Sequence, residues 1–167
     1  ETKVIGEGAK GGATANVGAN TVSRLTADEF ATLSFDLDKG KVTAGAIEEI
    51  RAVQAAQTEG LLPSGTIARG QNGADLNVSG TDVSIKAYRD DAFVNNPRSL
   101  NKLVGALNAD TNVQLLLDTR ALSDQQIANI TNALTQKGIN ASRIIAPSAK
   151  SYQPIVVVGP NGKLVPH

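Results

Sequence analysis

The chain has 167 residues, which is enough for one domain of ordinary size with a buried core. Its 16 Lys and Arg residues balance its 16 Asp and Glu residues, so the composition offers no global basic field for nucleic acid and no acidic excess for a basic partner. Cysteine is absent, which excludes a disulfide framework and a thiolate metal site.

Methionine is absent throughout, including at position 1, so we expect the chain to be a piece of a larger protein. No apolar run approaches the length of a membrane span, about 18 residues. The first residues lack the basic and then apolar pattern of a signal peptide. An export signal would therefore lie upstream of this sequence.

Residues 1–24 are rich in Gly, Ala and Asn and keep no periodic pattern. They fit a flexible lead or linker, or equally an irregular segment on the domain surface. We expect residues 25–167 to form a single αβ domain. At its start, Thr26 and Glu29 have the spacing of a capping box, which predicts a short helix over 27–33.

A first long helix is predicted from Thr43 to about Thr58, with a stop at Gly60. Helical spacing puts one apolar stripe on it, formed by Ala46, Ile47, Ile50 and Val53. Glu49 lies at the border of this stripe and can look along the edge of a covered sheet. Glu48 points nearly opposite and is predicted to be solvated.

Three short β-rich runs follow at 66–69, 74–78 and 81–88, separated by turn residues. Ser79-Gly80 has the length and composition of a tight hairpin connection. These runs predict a three-stranded meander.

The second half of the chain alternates helices and strands. Pro97 begins a helix to Asn108, and Ser123 caps another that ends at Lys137-Gly138. Strands are predicted at 112–118 and 142–146. The continuous apolar run of the first of these strands indicates a buried strand in a parallel crossover.

Two runs at 154–158 and 163–165 flank a Gly-Pro-Asn-Gly turn and predict a C-terminal hairpin. The fold class is therefore α/β (α+β): a mixed central sheet flanked by helices, followed by this hairpin.

Polar side chains collect on the central hairpin. Alternation places Asp82, Ser84 and Lys86 on one face of their strand, while Asp75 and Asn77 share a face of the preceding strand. Across a tight hairpin such groups come within a few ångströms of one another. A carboxylate pair can hold a divalent cation, and a nearby lysine can stabilise charge on phosphorus or orient a water. This is the chemistry of a metal-dependent nuclease.

The order of elements over residues 43–118 resembles the PD-(D/E)XK nuclease core. Asp75 matches the first motif, Ser84-Ile85-Lys86 the second, and Glu49 the acid that the family often carries on its first helix. Two positions depart from the family pattern: Ala74 stands where proline is usual, and Ser84 stands where Asp or Glu is usual. Asp82, on the same face as Ser84, can compensate for the missing acid.

The resemblance implies a nuclease-like core over about 43–146 that holds a divalent metal ion, Mg²⁺ or Zn²⁺. Its implied residues fall into three groups: the catalytic residues Asp75, Ser84 and Lys86; the metal ligands Glu49, Asp75 and Asp82; and a basic rim for a phosphate backbone with Tyr88, Arg89, Arg98 and Lys102.

A loose lead joined to a compact, cysteine-free αβ domain is similar to the C-terminal toxin regions of bacterial contact-dependent growth inhibition proteins. That resemblance implies a monomeric toxin domain of a secreted or cell-surface protein. The toxin would be delivered into the cytoplasm of neighbouring bacteria, cleave nucleic acid there with tRNA favoured over DNA, and be blocked by a cognate immunity protein.

Other interpretations stay open. Asp75 and Asp82 also suit hairpin ends, where Asp bonds nearby backbone amides, and Lys86 suits an exposed strand edge. The chain can then be a non-enzymatic binding or structural module of a secreted adhesin or phage particle that pairs strands through its Val-rich terminal hairpin. A metal-free toxin is a third possibility, because Ser84 replaces an acid. His167, the only histidine, follows Pro166 and is given no catalytic role.

Overall fold

The computed structural model describes residues 23–26, 37–38, 41–42, 44–65, 67–71 and 73–158. The helix predicted over 27–33, the second arm of the terminal hairpin at 163–165 and His167 lie outside the described residues, as does most of the lead. No helix in the described part of the chain is both long enough and apolar enough to cross a membrane.

Nine strands and three α-helices follow one another within these residues, in the order β1 (Ser23–Thr26), β2 (Leu37–Asp38), β3 (Lys41–Val42), α1 (Ala44–Thr58), β4 (Ile67–Arg69), β5 (Leu76–Val78), β6 (Thr81–Ala87), α2 (Pro97–Ala109), β7 (Gln114–Asp118), α3 (Asp124–Gln136), β8 (Ile144–Ile145) and β9 (Ile155–Val158). The predicted mixed sheet with flanking helices is confirmed, and each of the three long helices begins within two residues of its predicted start.

The central sheet has five strands in the order β4-β5-β6-β7-β8. The first three strands run antiparallel as the predicted meander, whereas β6, β7 and β8 are parallel. The β5–β6 connection is Ser79-Gly80, with φ of +48° and +91°. Both angles are positive, as in the tight turns whose twist matches a hairpin, and Gly80 adopts this conformation without a Cβ clash.

Two hydrophobic cores lie on opposite faces of this sheet. The α1 core contains Ile47, Ile50 and Val53 of the predicted helical stripe, packed on the alternate residues Val83, Ile85 and Leu116 of the sheet. The second core is formed by α2 and α3 over Leu115 and Leu117. Both crossover helices, α2 and α3, therefore lie on the face opposite α1.

Strand β9 pairs in parallel with β1, from Ile155 with Ser23 to Val158 with Thr26. The terminal segment was predicted to pair in a hairpin with residues 163–165, which lie outside the described residues. Within the described residues its partner is a strand that begins inside the predicted lead. Ile155 is buried in the α1 core, so this small sheet is attached to the main body of the domain.

Arg143 joins the end of α2 to the sheet. Its guanidinium donates to the carbonyl oxygens of Leu107, Asp110 and Val113 at 2.8 to 3.1 Å. The last carbonyls of a helix have no partner within the helix, and a cation there also interacts favourably with the helix dipole. Arg143 supplies both the donors and the charge.

We expect Arg143→Ala to lower the free energy of unfolding by about 2–3 kcal/mol, because several charged hydrogen bonds are lost together. Arg143→Lys keeps the charge but not the planar fork, so its cost is smaller, about 1–2 kcal/mol. Urea unfolding measures both. The exposed Arg98, in the first turn of α2, is the control, and Arg98→Ala is expected to change the stability by less than about 0.5 kcal/mol. Equal effects at the two positions would contradict this role of Arg143.

Candidate functional site

The candidate site lies at the edge of the sheet where the parallel strands β6 and β7 end. Ala87 and Asp118 are paired in register as the last residues of these two strands. Strand β5 runs antiparallel to β6, so Asp75, which precedes it, reaches the same edge. In open sheets with parallel strands, ligands bind outside the carboxyl ends of the strands.

Asp75 is fixed at the point where β5 separates from β6. Its N–H donates to the Val83 carbonyl at 2.9 Å, and its Oδ2 accepts from the Ile85 N–H at 2.7 Å. The side chain thus takes the hydrogen bond that a further β5 residue would make. This is the backbone contact expected of an Asp at a hairpin end, and Asp75 nevertheless remains exposed.

Glu49 lies on α1, one residue before the buried Ile50, and is half-buried. Burial raises the pKa of Glu49, and the negative charge of Asp75 raises this pKa further. The structure therefore brings together the helix acid and the hairpin acid. Two carboxylates at one sheet edge can share a proton or a cation.

The other predicted residues of the hairpin lie on the opposite face of the sheet. Asp82 accepts from Asn77 Nδ2 at 2.8 Å, so the expected contact across the hairpin is present. Ser84 and Lys86 are paired in register with Leu115 and Leu117, which belong to the α2/α3 core. Glu49 belongs to α1, which covers the other face of the sheet. The polar side chains of β6 and Glu49 therefore lie on opposite faces of the sheet.

The predicted basic rim follows β6. The ring of Tyr88 stacks on that of Phe93 with 4.1 Å between ring centroids, and burial raises the pKa of Tyr88. Arg89, Arg98 and Lys102 are exposed. The aromatic pair packs against the α2/α3 core, so the rim lies on the side of Lys86.

Among the residues that the structure describes, no three carboxylate, histidine or cysteine side chains are grouped closely enough to hold a metal ion. Glu49, Asp75 and Asp82 thus do not form one three-carboxylate centre. The donor set on the α1 side of the edge is the pair Glu49 and Asp75.

A charged network that the sequence did not predict lies beside this pair. Arg120 Nε donates to Asp118 Oδ1 at 2.9 Å, and its Nη2 donates to the other carboxylate oxygen of Asp118. Arg120 Nη1 also donates to Glu48 Oε1, which Arg51 contacts at 3.2 Å. Glu48, which was predicted to be solvated, has a side chain that is 45% exposed, but its carboxylate also joins two arginines, which the sequence did not predict.

Tyr152 and Thr119 make further contacts beside the network. The guanidinium of Arg120 lies over the ring of Tyr152, with 4.6 Å between its central carbon and the ring centroid. The Thr119 N–H donates to Tyr152 Oη at 3.0 Å, and the Thr119 hydroxyl donates to the Pro147 carbonyl. Burial raises the pKa of Tyr152 despite the hydrogen bonds from Thr119. Arg51 Nε completes the attachment by donating to the Gln153 carbonyl at 2.9 Å.

One feature of the sequence marks this network. Asp118 ends a continuous apolar strand, and an acid in that position falls at the carboxyl edge of a parallel sheet. Arg120, two residues later, is close enough to bind it. The partners contributed by α1 and by residues 147–153 depend on how distant segments pack, which local spacing does not specify.

Comparison of the chain with models of protein families, with curated proteins and with solved structures finds no match in any of the three.

Burial opposes ionisation of Asp118, but the hydrogen bonds and charge of Arg120, together with the charge of Arg51, outweigh it and hold the pKa of Asp118 below its ordinary 3.8. The stabilisation from a lowered pKa is present above the ordinary pKa and is lost as the pH falls through the folded-state pKa.

We therefore expect Asp118→Asn to lower the free energy of unfolding by about 3 kcal/mol at neutral pH, since Arg120 loses a buried partner. The difference from wild type should shrink as the pH falls below 3.8. Urea unfolding between about pH 2 and pH 7 measures it, over the range where Asp titrates. Asp110→Asn is the matched control, because among the described residues the Asp110 side chain contacts the Asn112 amide and no arginine. A difference that stays constant with pH would contradict this assignment.

Proposed function

We propose that this domain is a toxin nuclease that cleaves phosphodiester bonds with Glu49 and Asp75 at its reaction centre. The observation that carries the proposal is the electrostatic interaction of these two carboxylates near the carboxyl edge of β6: burial raises the pKa of Glu49, and the negative charge of Asp75 raises it further. The element order of the nuclease resemblance, helix acid followed by hairpin acid, is consistent with this pair.

A divalent ion of the Mg²⁺ type fits the donor set. Mg²⁺ in phosphoryl-transfer sites is commonly held by one or two carboxylates, with waters and substrate phosphates as its other ligands. Glu49 and Asp75 would hold it, and their mutual repulsion would be relieved by the positive charge between them. When bound, such an ion supplies charge stabilisation at the scissile phosphate.

The chain's own residues divide the remaining work. Asp75 is held by the Ile85 amide, so one carboxylate oxygen is fixed and the other is left to face a ligand. Glu49 would take a proton from an attacking water. Lys86 is exposed, one residue beyond Ile85, and would contact a phosphate that passes over the strand end from the other face.

The substrate and partners follow from the toxin resemblance. We propose tRNA ahead of DNA as substrate, an immunity protein that neutralises the domain, and delivery from a secreted or surface protein into the cytoplasm of a neighbouring bacterium. The exposed Arg89, Arg98 and Lys102, with Tyr88, would contact the nucleic acid backbone on the Lys86 side of the edge. No role is proposed for Ser84 or Asp82.

Glu49→Gln and Asp75→Asn are each expected to lower the cleavage rate by about 100-fold or more, the usual contribution of a positioned acid or base. Lys86→Ala is expected to cost about tenfold to 100-fold, as for one charge-stabilising donor. Cleavage of end-labelled tRNA and DNA in Mg²⁺ measures these rates, with thermal unfolding run on every variant.

The matched control is Asp110→Asn. The side chains of Asp110 and Asp75 each accept from one backbone amide, and Asn retains that acceptor at both positions. Each substitution removes one negative charge, but only Asp75→Asn removes it from the candidate site. Full activity in both Glu49→Gln and Asp75→Asn would refute the reaction centre.

A second candidate, the non-enzymatic binding module, is favoured by one observation. Lys86 and Ser84 lie in register with the α2/α3 core, away from Glu49, which separates the residues that the nuclease motif would unite. In such a module β9, which pairs with β1 within the described residues, would offer its other edge to a partner strand.

Growth of bacteria that express the domain alone separates the two candidates. A nuclease toxin should stop growth, and Glu49→Gln should restore it, whereas a binding module should be harmless in both forms. If growth stops, cleavage in the presence of EDTA then distinguishes a metal-dependent enzyme from the metal-free alternative.

A further inference from the structure

Arg120 is held rigidly at the end of β7. Its guanidinium makes a two-point contact with Asp118, whose side chain is 11% exposed, and it lies over the ring of Tyr152. Paired contacts of this kind fix both the position and the plane of a guanidinium. The Asp118 carboxylate also accepts from the Arg120 backbone N–H at 3.1 Å, which fixes the turn itself.

From this fixed position Arg120 reaches across to α1. Nη1 donates to the Glu48 carboxylate, and Nη2 approaches the Glu48 backbone carbonyl at 3.4 Å. Arg120 thus contacts both the side chain and the main chain of the residue next to Glu49. This contact at the end of β7 holds the same turn of α1 that Arg51 attaches to the Gln153 carbonyl.

The contact of Arg120 with Glu48 opposes a translation of α1 along its own axis. Ile47, Ile50 and Val53 set which face of the helix meets the sheet. Apolar contact is not directional, so it supplies no hydrogen bond against a small translation of the helix along its axis. A directed hydrogen bond from β7 to residue 48 opposes that translation, and Glu49 moves with residue 48.

We propose that Arg120 is a positioning residue that sets the distance between Glu49 and Asp75 by anchoring Glu48 to the end of β7. The proposal rests on the proposed function of that carboxylate pair. Asp75 is fixed to β6 through Ile85, and Arg120 is fixed to the neighbouring β7. The paired strands β6 and β7 therefore set the positions of both carboxylates, Asp75 directly and Glu49 through Arg120.

The first test compares Arg120→Gln, Arg120→Lys and Glu48→Gln. A displacement of about 1 Å in a reacting group can cost on the order of 100-fold in rate. Arg120→Gln and Glu48→Gln are each expected to lower kcat for RNA cleavage at least about tenfold with KM within about twofold. Arg120→Lys, which keeps one donor, should recover part of the loss.

The double variant Arg120→Gln/Glu48→Gln then completes a cycle. If the two residues act through one contact, the double variant should lose about as much kcat as either single variant, about tenfold and not about 100-fold. Additive losses would overturn the proposal.

Arg143→Lys is the matched control, because Arg143 also clamps backbone carbonyls but at the end of α2. Measured at a temperature where all variants are folded, it should leave kcat unchanged. Equal loss of kcat in Arg120→Lys and Arg143→Lys would reduce Arg120 to a general structural role and overturn the proposal.

A readout without catalysis separates this proposal from the proposed function. In ¹⁵N-correlated NMR spectra, Glu48→Gln should change the chemical shift of the Ile85 amide. This amide donates to Asp75, whose charge interacts with the Glu49 carboxylate. Arg143→Lys should not shift this amide. An unmoved Ile85 amide in Glu48→Gln overturns the positioning role. Full activity in both Glu49→Gln and Asp75→Asn overturns the reaction centre and leaves the result for the Ile85 amide unchanged.

Discussion

Strand β7 is the element on which the rest of the domain depends, because it is buried on both faces. Leu116 points into the α1 core, and Leu115 and Leu117 point into the α2/α3 core, all three with 0% exposure. A single strand thus contributes fully buried side chains to both cores. Alternation of side chains in a strand makes this possible, and a shift of register by one residue would exchange the two sets.

Burial of β7 also explains why charge collects at its end. The apolar run stops at Asp118, and the next residue, Thr119, is still 1% exposed. A carboxylate at such a depth requires a partner, which Arg120 supplies. The network that joins α1 to the sheet is therefore a consequence of a strand buried to its last residue, and the candidate carboxylate pair lies beside it.

Much of the fold could be predicted from the sequence, because its signals are local. The Ser123 cap of α3, the Ser79-Gly80 connection and the start of α2 at Pro97 all depend on residues a few positions apart, and each was confirmed. Pairing of β1 with β9 and the contacts of Arg143 could not be predicted in this way. They join segments far apart in the chain, for which spacing carries no information.

The candidate site was predictable in part for the same reason. Period-two alternation correctly placed Asp82 opposite Asn77. It could not decide which face of β6 the Glu49 helix would cover, because helices cover both faces and each offers an apolar layer. Glu48 shows the limit most clearly. Its position on the helix surface was predicted, but the arginine that reaches it comes from a residue 72 positions away.

The pairing of β1 with β9 has a mechanical consequence. The strands are parallel, so the chain before Ser23 and the chain after Val158 leave the small sheet at opposite ends. Tension between those two points would load the four residue pairs together, in shear, and would not open them one at a time. Closing this contact during folding brings together the two most distant described segments, which makes it an entropically costly step that favours late formation. The small sheet is therefore expected to form after the body of the domain.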